Sequence, residues 1–182
     1  MGAADKISTG TITYTARRCK RGFPQVIACA AEKDGKPFPT TFWLLCPHLS
    51  RVAGALEAQN GVAAMEYVLA GRRDEWRLYH LFHARLRLAG ISPYRKKFLR
   101  RYASRRYEAL RRGGVGGIAV RRRQPITTVK CLHLQIASYL GARFHPASDW
   151  LESSVSSWEC DGCQCCLKDD GGTGDKLLSQ KG

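Results

Sequence analysis

The first quarter of the chain alternates β-branched or apolar residues with polar ones, which is typical of β-strands. Three such stretches occupy residues 9–18, 24–32 and 39–46. Asp34-Gly35 lies between the last two and is a strong signal for a two-residue hairpin turn. The pattern therefore predicts a three-stranded antiparallel sheet, in which the second and third strands form a hairpin and the first lies beside it.

After residue 46 the apolar residues recur at helical spacing instead, beginning with Leu49, Val52, Ala53 and Leu56. Helices are predicted over residues 47–61, 62–71, 75–90 and 93–112, and a stretch at 127–141 starts extended and becomes helical. The predicted fold class is α+β. It comprises an N-terminal three-stranded antiparallel sheet packed against about five helices, followed by a Cys-rich C-terminal segment.

A chain of 182 residues suits one domain. We expect that domain to cover residues 1–167, with a cysteine-rich hook at 158–167, and the polar residues 168–182 to form a disordered tail. No apolar run approaches the ~18 residues of a membrane span. The N-terminus lacks the pattern of a secretory signal, so a cytoplasmic, reducing location is expected.

The reducing location changes how the eight cysteines are interpreted, because clustered cytosolic cysteines more often bind metal or carry out redox chemistry than form disulfides. Cys160 and Cys163 form a C-x-x-C pair, a common hook of zinc and iron–sulfur sites. Cys46 in "LLCPHL" and Cys131 in "VKCLHL" each precede a predicted helix, whose N-terminus favours thiolate. The predicted metal ligands are Cys46, Cys131, Cys160 and Cys163, with Cys19 and His133 as rivals.

Either a tetrahedral zinc ion or an iron–sulfur cluster suits four thiolates, and the sequence leaves the choice open. A shared ion requires Cys46 and Cys131 to lie close in space. The competing interpretation makes these two cysteines small buried hydrophobes. The functional alternatives are a thiol-redox enzyme using Cys160 and Cys163, a metal-dependent hydrolase with an open coordination position, and an adaptor that recruits a protein partner.

Charge is distributed unevenly along the chain, whose formal net charge is +15. Residues 95–112 contain nine Lys or Arg and one Glu, with Phe98, Tyr102 and Tyr107 expected to pack on the body. A surface this basic attracts RNA or DNA through its phosphates, with little sequence preference; the alternative is a solvated face. The candidate nucleic-acid-binding residues are Arg100, Arg101, Arg105, Arg106, Arg112, Arg121, Arg122 and Arg123.

Several segments resemble the uncharacterised bacterial proteins of domain-of-unknown-function family 501. They are "TARRCKRGFPQVI" (15–27), "DGKPFPTTFWLLCPHL" (34–49), "GGVGGI" (113–118) and "VKCLHLQIASYL" (129–140). The matching motif positions are Cys19, Gly22, Pro24, Pro37, Pro39, Thr40, Cys46, Pro47, Lys130, Cys131 and His133. The chain departs from the family pattern at Gln135 and Ser138, where histidines often stand, and at "FHPASD", which replaces an N-P-x-G loop. The resemblance implies a fold and a ligand set weighted toward sulfur, but no established activity.

Overall fold

The strands of the protein form one three-stranded sheet and one short hairpin, as seen in a computed structural model that describes residues 11–116 and 127–161. The strands are β1 (Ile12–Arg18), β2 (Pro24–Cys29), β3 (Glu32–Lys33), β4 (Lys36–Pro37) and β5 (Phe42–Leu44). The larger sheet has the order β1-β2-β5 and both of its pairings are antiparallel. The predicted three-stranded antiparallel sheet is confirmed.

The predicted turn at Asp34-Gly35 joins β3 to β4. Both residues have positive φ, at 50° and 69°. Two consecutive left-handed residues make the tight turn whose twist matches antiparallel strands, and Asp-Gly is among the pairs that favour it. The hairpin extends the connection between β2 and β5 without joining their sheet.

Helices make up most of the rest of the described residues, where seven α-helices are found instead of about five. They are α1 (Pro47–Ala58), α2 (Gly61–Ala70), α3 (Arg73–Ala89), α4 (Pro93–Tyr102), α5 (Ser104–Arg112), α6 (Leu132–Ala142) and α7 (Ser148–Ser154). α7 lies in a stretch for which no element was predicted. The α+β class is confirmed.

The long helix predicted over 93–112 is wrong, because Ala103 leaves helical geometry and divides it into α4 and α5. Ser92 caps α4 by accepting a hydrogen bond from the N–H of Arg95 at 3.2 Å. The two short helices place Leu99 and Leu110 in a small apolar cluster with Ile91 and Ala31. Each helix therefore buries a leucine against the body and leaves most of its basic residues outside.

The main core lies between the larger sheet and the helices α1, α2, α3 and α6. Phe42 on β5 contacts α6 so closely that a Cβ on Gly141 would lie 2.5 Å from its ring. Other fully buried residues of this core are Val26, Leu49, Ala53, Met65, Leu69, Trp76, Leu132 and Ile136. The packing fixes the start of α1 and the start of α6 against the sheet.

Within the described parts of the chain, no helix is long and apolar enough to cross a membrane. The predicted metal ligand Cys163, the predicted nucleic-acid contacts Arg121, Arg122 and Arg123, and the predicted tail at 168–182 lie outside the described residues. The extent of the domain, 1–167, stays a prediction.

Candidate metal centre and nucleic-acid interface

One end of the larger sheet gathers residues that are distant along the chain. β2 begins at this end, and its neighbours β1 and β5 both finish there because they run antiparallel to it. Arg18 at the end of β1 pairs with Pro24, and the N–H of Cys46 donates to the carbonyl of Gln25 at 3.2 Å. The residues that follow β1 and β5 are therefore brought together.

Cys46 follows β5 and is the N-cap residue of α1. Its backbone is extended and Pro47 occupies the first helical position. Proline suits that position because its missing N–H would have no helical partner and its φ is already helical. The Cys46 side chain is buried, with 4% exposure.

The thiol of Cys46 interacts electrostatically with two other cysteines. Burial raises its pKa, and the thiols of Cys160 and Cys19 raise it further, while the backbone N–H groups of Leu49 and His48 lower it. The sequence argument that a helix start favours the thiolate of Cys46 is therefore outweighed by the effect of burial on its pKa. Cys19 and Cys160, which are 27 and 114 residues from Cys46 in sequence, thus both lie near enough to affect its thiol.

Cys19 reaches this place through the turn between β1 and β2. Its N–H donates to the carbonyl of Phe23, and its carbonyl accepts from the N–H of Gly22, both at 2.9 Å. Gly22 has a φ of 87°, which favours glycine because a side chain strains that conformation. The turn buries Cys19 to 8% exposure.

Cys160 is brought in by the segment 157–161, which lies across the same end of the sheet. Gln25 donates to the carbonyl of Trp158 at 2.8 Å, and His48 Nε2 donates to the carbonyl of Ser157 at 2.9 Å. The N–H of Lys20 donates to the Glu159 carboxylate at 3.0 Å. These hydrogen bonds come from β2, from α1 and from the turn that contains Cys19. They therefore hold the segment 157–161 near the other two cysteines.

Cys131 and His133 have different neighbours from Cys46. Glu57 on α1 accepts hydrogen bonds from the N–H of Leu132 at 2.6 Å and from His133 Nδ1 at 3.1 Å. Burial is the main cause that raises the pKa of Cys131, and the charge of Glu57 adds to it. Glu57 therefore accepts a hydrogen bond from a backbone N–H in the first turn of α6, and another from the imidazole of His133, which was predicted as a metal ligand.

Sequence reasoning missed Glu57, because its partner lies 75 residues away and no local motif marks such a pair. It also missed the shared end of the sheet, which depends on strand order. Cys29, on β2, is half-buried, and burial raises its pKa to about 12. No described contact connects it to the other thiols.

Over residues 11–116 and 127–161, no group of three or more His, Cys, Asp or Glu side chains is arranged to hold a metal ion. The predicted ligand set of Cys46, Cys131 and Cys160 is thus not assembled by the described residues alone. That Cys46 and Cys131 share an ion stays a prediction, as does the participation of Cys163.

The basic residues predicted to bind nucleic acid lie on the outside of α4 and α5. Arg100, Arg101, Arg105, Arg106 and Arg112 are all exposed. Arg112 pairs with Glu108, the only acid in the two helices. For the other four, no ion pair with a described carboxylate is found.

An open cleft of about 690 Å³ is lined by Pro93, Lys96, Lys97, Arg100 and Arg101 on α4. Four of these five residues carry positive charge. The expectation that the aromatic residues here pack on the body is wrong for two of them, since Tyr102 is 69% and Phe98 is 38% exposed. Tyr107 is half-buried beside Leu99 and Leu110, as predicted.

The fold and this site define a class of protein. It is an α+β protein with a small antiparallel sheet, buried cysteines at one end of that sheet and a basic helical surface. The chain belongs to the family described as protein of unknown function (DUF501), whose model matches residues 15–153. No curated protein and no solved structure matches the chain. Cys19, Cys46, Cys131 and His133 fall inside the matched region, whereas Cys160 and Cys163 follow it.

Proposed function

We propose that this protein binds a metal ion or an iron–sulfur cluster through Cys46, Cys19 and Cys160, with Cys163 as the fourth ligand. The observation that carries the proposal is that the segments of Cys19, Cys46 and Cys160 meet at one end of the larger sheet, near enough for the other two thiols to affect the pKa of Cys46, although the described residues do not arrange the three around an ion. Four sulfurs around one ion are a common structural site.

The surroundings of Cys46 suit a metal thiolate. Backbone N–H groups of Leu49 and His48 already favour the charged form of its sulfur. Burial opposes that charge, so the protons stay on until a cation replaces them. Binding would release protons and draw the three sulfurs onto one ion.

A closed set of four protein ligands supports a structural site and leaves no position for a substrate. The thiol-redox alternative has less support, because an attacking cysteine needs a depressed pKa and an accessible sulfur. Cys160, the described member of the Cys160 and Cys163 pair that this alternative uses, is buried with 9% exposure. The hydrolytic alternative would need a ligand to be replaced by water.

Protein purified without oxygen is expected to contain about one zinc ion or one cluster per chain, because four thiolates hold either. Elemental analysis and the visible absorbance spectrum separate the two. Replacing Cys46 with serine should lower the affinity for the metal by more than roughly 10- to 100-fold. That range is typical of losing a residue that only hydrogen-bonds a metal ligand. The matched control is Cys29→Ser, a half-buried cysteine outside the set.

Cys131→Ser tests the rival ligand. Metal retained in Cys131→Ser and in Cys29→Ser, but lost in Cys46→Ser, supports the proposed set. If Cys131→Ser loses the metal as readily as Cys46→Ser does, the result supports the site predicted from the sequence, in which Cys46 and Cys131 share the ion. A wild-type protein with neither metal nor sulfide contradicts the proposal.

A second candidate function is the binding of nucleic acid by the face formed by α4 and α5. It is favoured by the exposed arginines of this face and by the cationic cleft beside them. Like charges that lack acidic partners repel one another, and a polyanion relieves that repulsion when it replaces their counterions. Phosphate contacts of this kind give affinity without sequence preference.

The triple variant Arg101→Glu, Arg105→Glu and Arg106→Glu should abolish most RNA binding at low salt. The magnitude of the slope of log K, the binding constant, against log salt concentration should fall by about 2. Each of the three lost phosphate contacts contributes roughly 0.7 to that slope on a single strand. The measurement is fluorescence anisotropy at several salt concentrations. Equal binding by the triple variant and the wild type would show that the charge only keeps the protein soluble.

The control for net charge reverses Arg17, Arg51 and Arg77, which are exposed on β1, α1 and α3. It changes the total charge by the same amount but leaves α4 and α5 intact. A local binding face predicts nearly wild-type affinity for this control. A loss as large as that of the first variant would point to the overall charge of the chain instead.

A further inference from the structure

Three aromatic side chains on α4 are exposed although they belong to a helix that packs on the body. Tyr94 is 82%, Phe98 is 38% and Tyr102 is 69% exposed. They are spaced four residues apart, so they share one side of the helix and follow one another about 6 Å apart along its axis. Leu99 supplies the only fully buried contact of this helix.

Cations accompany this aromatic row. The guanidinium of Arg95 lies 5.3 Å from the centre of the Phe98 ring, and that of Arg101 lies 5.6 Å from the Tyr102 ring. The Phe98 and Tyr102 rings are 5.4 Å apart and tilted by 44°. Arg101 also lines the cationic cleft of the same helix. Aromatic rings and positive charges therefore occur together on α4.

We propose that the row Tyr94, Phe98 and Tyr102 binds single-stranded nucleic acid by stacking its bases, while Lys97, Arg100 and Arg101 hold the phosphates. This inference rests on the nucleic-acid function proposed above and adds the class of nucleic acid. Aromatic rings beside a positively charged groove are the usual means of binding single strands, because every base has a π face.

A duplex suits this surface less well. Its bases are already stacked on one another, at about 3.4 Å per step along each strand. The Phe98 and Tyr102 rings are wider apart than that step, at 5.4 Å, and are tilted by 44° to each other. A base can reach them only when the strand is unpaired and extended. An anionic membrane surface is the competing partner for a helix with aromatic and basic residues, and it is included in the test.

The test measures anisotropy of labelled oligonucleotides of one mixed sequence as single-stranded RNA, single-stranded DNA and duplex. Co-sedimentation with anionic vesicles of phosphatidylserine and phosphatidylcholine measures membrane binding. Wild-type protein should bind the single strands more tightly than the duplex. The double variant Tyr94→Ala and Tyr102→Ala should bind single strands on the order of 100-fold more weakly, about tenfold for each ring. Its salt slope should stay unchanged, because every cation remains.

Two controls make the result specific to stacking. Tyr94→Phe with Tyr102→Phe keeps both rings and should retain wild-type affinity. Tyr67→Ala removes a tyrosine that is 84% exposed on α2, outside the row, and should have no effect.

The inference is overturned if duplex binds as tightly as single strand, or if the double alanine variant binds single strands like the wild type. In either case the phosphate-binding function stands as long as the triple glutamate variant loses affinity. Failure of wild-type protein to bind any of the three nucleic acids at low salt overturns both proposals. Loss of binding to anionic vesicles in the alanine variant, with RNA binding unchanged, would assign the row to a membrane.

Discussion

Replacing Arg87 with leucine is expected to lower the free energy of unfolding by about 3 kcal/mol or more, since each hydrogen bond from a charged donor contributes roughly 1.5–3 kcal/mol. Arg87 lies on α3 with 3% exposure. Its Nε donates to the carbonyl of Leu110 at 2.8 Å, and its two terminal nitrogens donate to Gly113 O at 2.6 Å and Thr41 Oγ1 at 3.2 Å. One side chain therefore joins α3, the end of α5 and the segment before β5.

The location of these acceptors explains the size of the effect. The carbonyls of Leu110 and Gly113 lie at and just after the C-terminus of α5, where helical partners run out and a cation is favoured. Burial lowers the pKa of Arg87 to about 10, so the buried charge itself carries a cost. Leucine removes that cost but leaves three buried acceptors without a donor, which is the larger loss.

Urea denaturation followed by circular dichroism measures the change. Arg87→Lys should lose nearly as much stability, because an ammonium group lacks the fork that spans three acceptors. The matched control is Arg85→Leu, an exposed arginine on the same helix. If Arg87→Leu is as stable as this control, the three hydrogen bonds contribute little.

Local pattern predicted most of the elements, and long-range packing decided the rest. Alternation and the Asp34-Gly35 turn were sufficient for the sheet, since strand period and turn conformation are properties of neighbouring residues. The break at Ala103 was not predictable, because helix-forming residues continue on both sides of it. It follows from packing of Leu99 and Leu110 in one cluster with residues from elsewhere in the chain.

The candidate site shows the same division. Matched C-x-H segments at Cys46 and Cys131 suggested one shared site, because both cysteines precede helices. The structure confirms both helix starts but gives each cysteine its own neighbours: Cys19 and Cys160 for the first, Glu57 for the second. Strand order decides whether the segment of Cys46 or that of Cys131 lies near Cys160. The spacing of the cysteines along the chain carries no information about strand order.

Three histidines lie together in the core around Trp76 and Tyr79. His83 and His145 have ring centres 4.6 and 4.9 Å from that of Tyr79, and His80 lies 4.7 Å from Trp76. Burial lowers the pKa of all three from 6.5, to about 4 for His80 and about 3 for His83 and His145.

The contacts of these rings suit the neutral form. His145 donates from Nε2 to Gln135, and its Nδ1 accepts from the N–H of Ala147. A proton on Nδ1 would break the second bond. Neither ring nitrogen of His83 has a hydrogen-bond partner among the described residues, so nothing offsets a charge there. The positive charge of Arg87 lowers the pKa of His80 and His83 further.

These lowered pKa values make stability depend on pH in a defined window. Well above pH 6.5 the histidines are neutral in the folded and in the unfolded chain, and they contribute no pH dependence. Below 6.5 the unfolded chain binds protons that the folded chain refuses, so stability falls as the pH falls toward 3–4. At pH 5 the loss is about 2 kcal/mol for each histidine, or about 6 kcal/mol together.

We expect urea denaturation to show this loss between pH 7 and pH 5, which is a large part of the roughly 5–15 kcal/mol that stabilises a typical domain. Release of a bound metal would lower stability over the same range, so a histidine variant is needed to separate the two causes. His83→Leu replaces two unpartnered ring nitrogens with an apolar side chain and should cost little at pH 7. It should also lose about 2 kcal/mol less than the wild type between pH 7 and pH 5. A variant that loses as much as the wild type over this range would show that His83 does not titrate on unfolding as described.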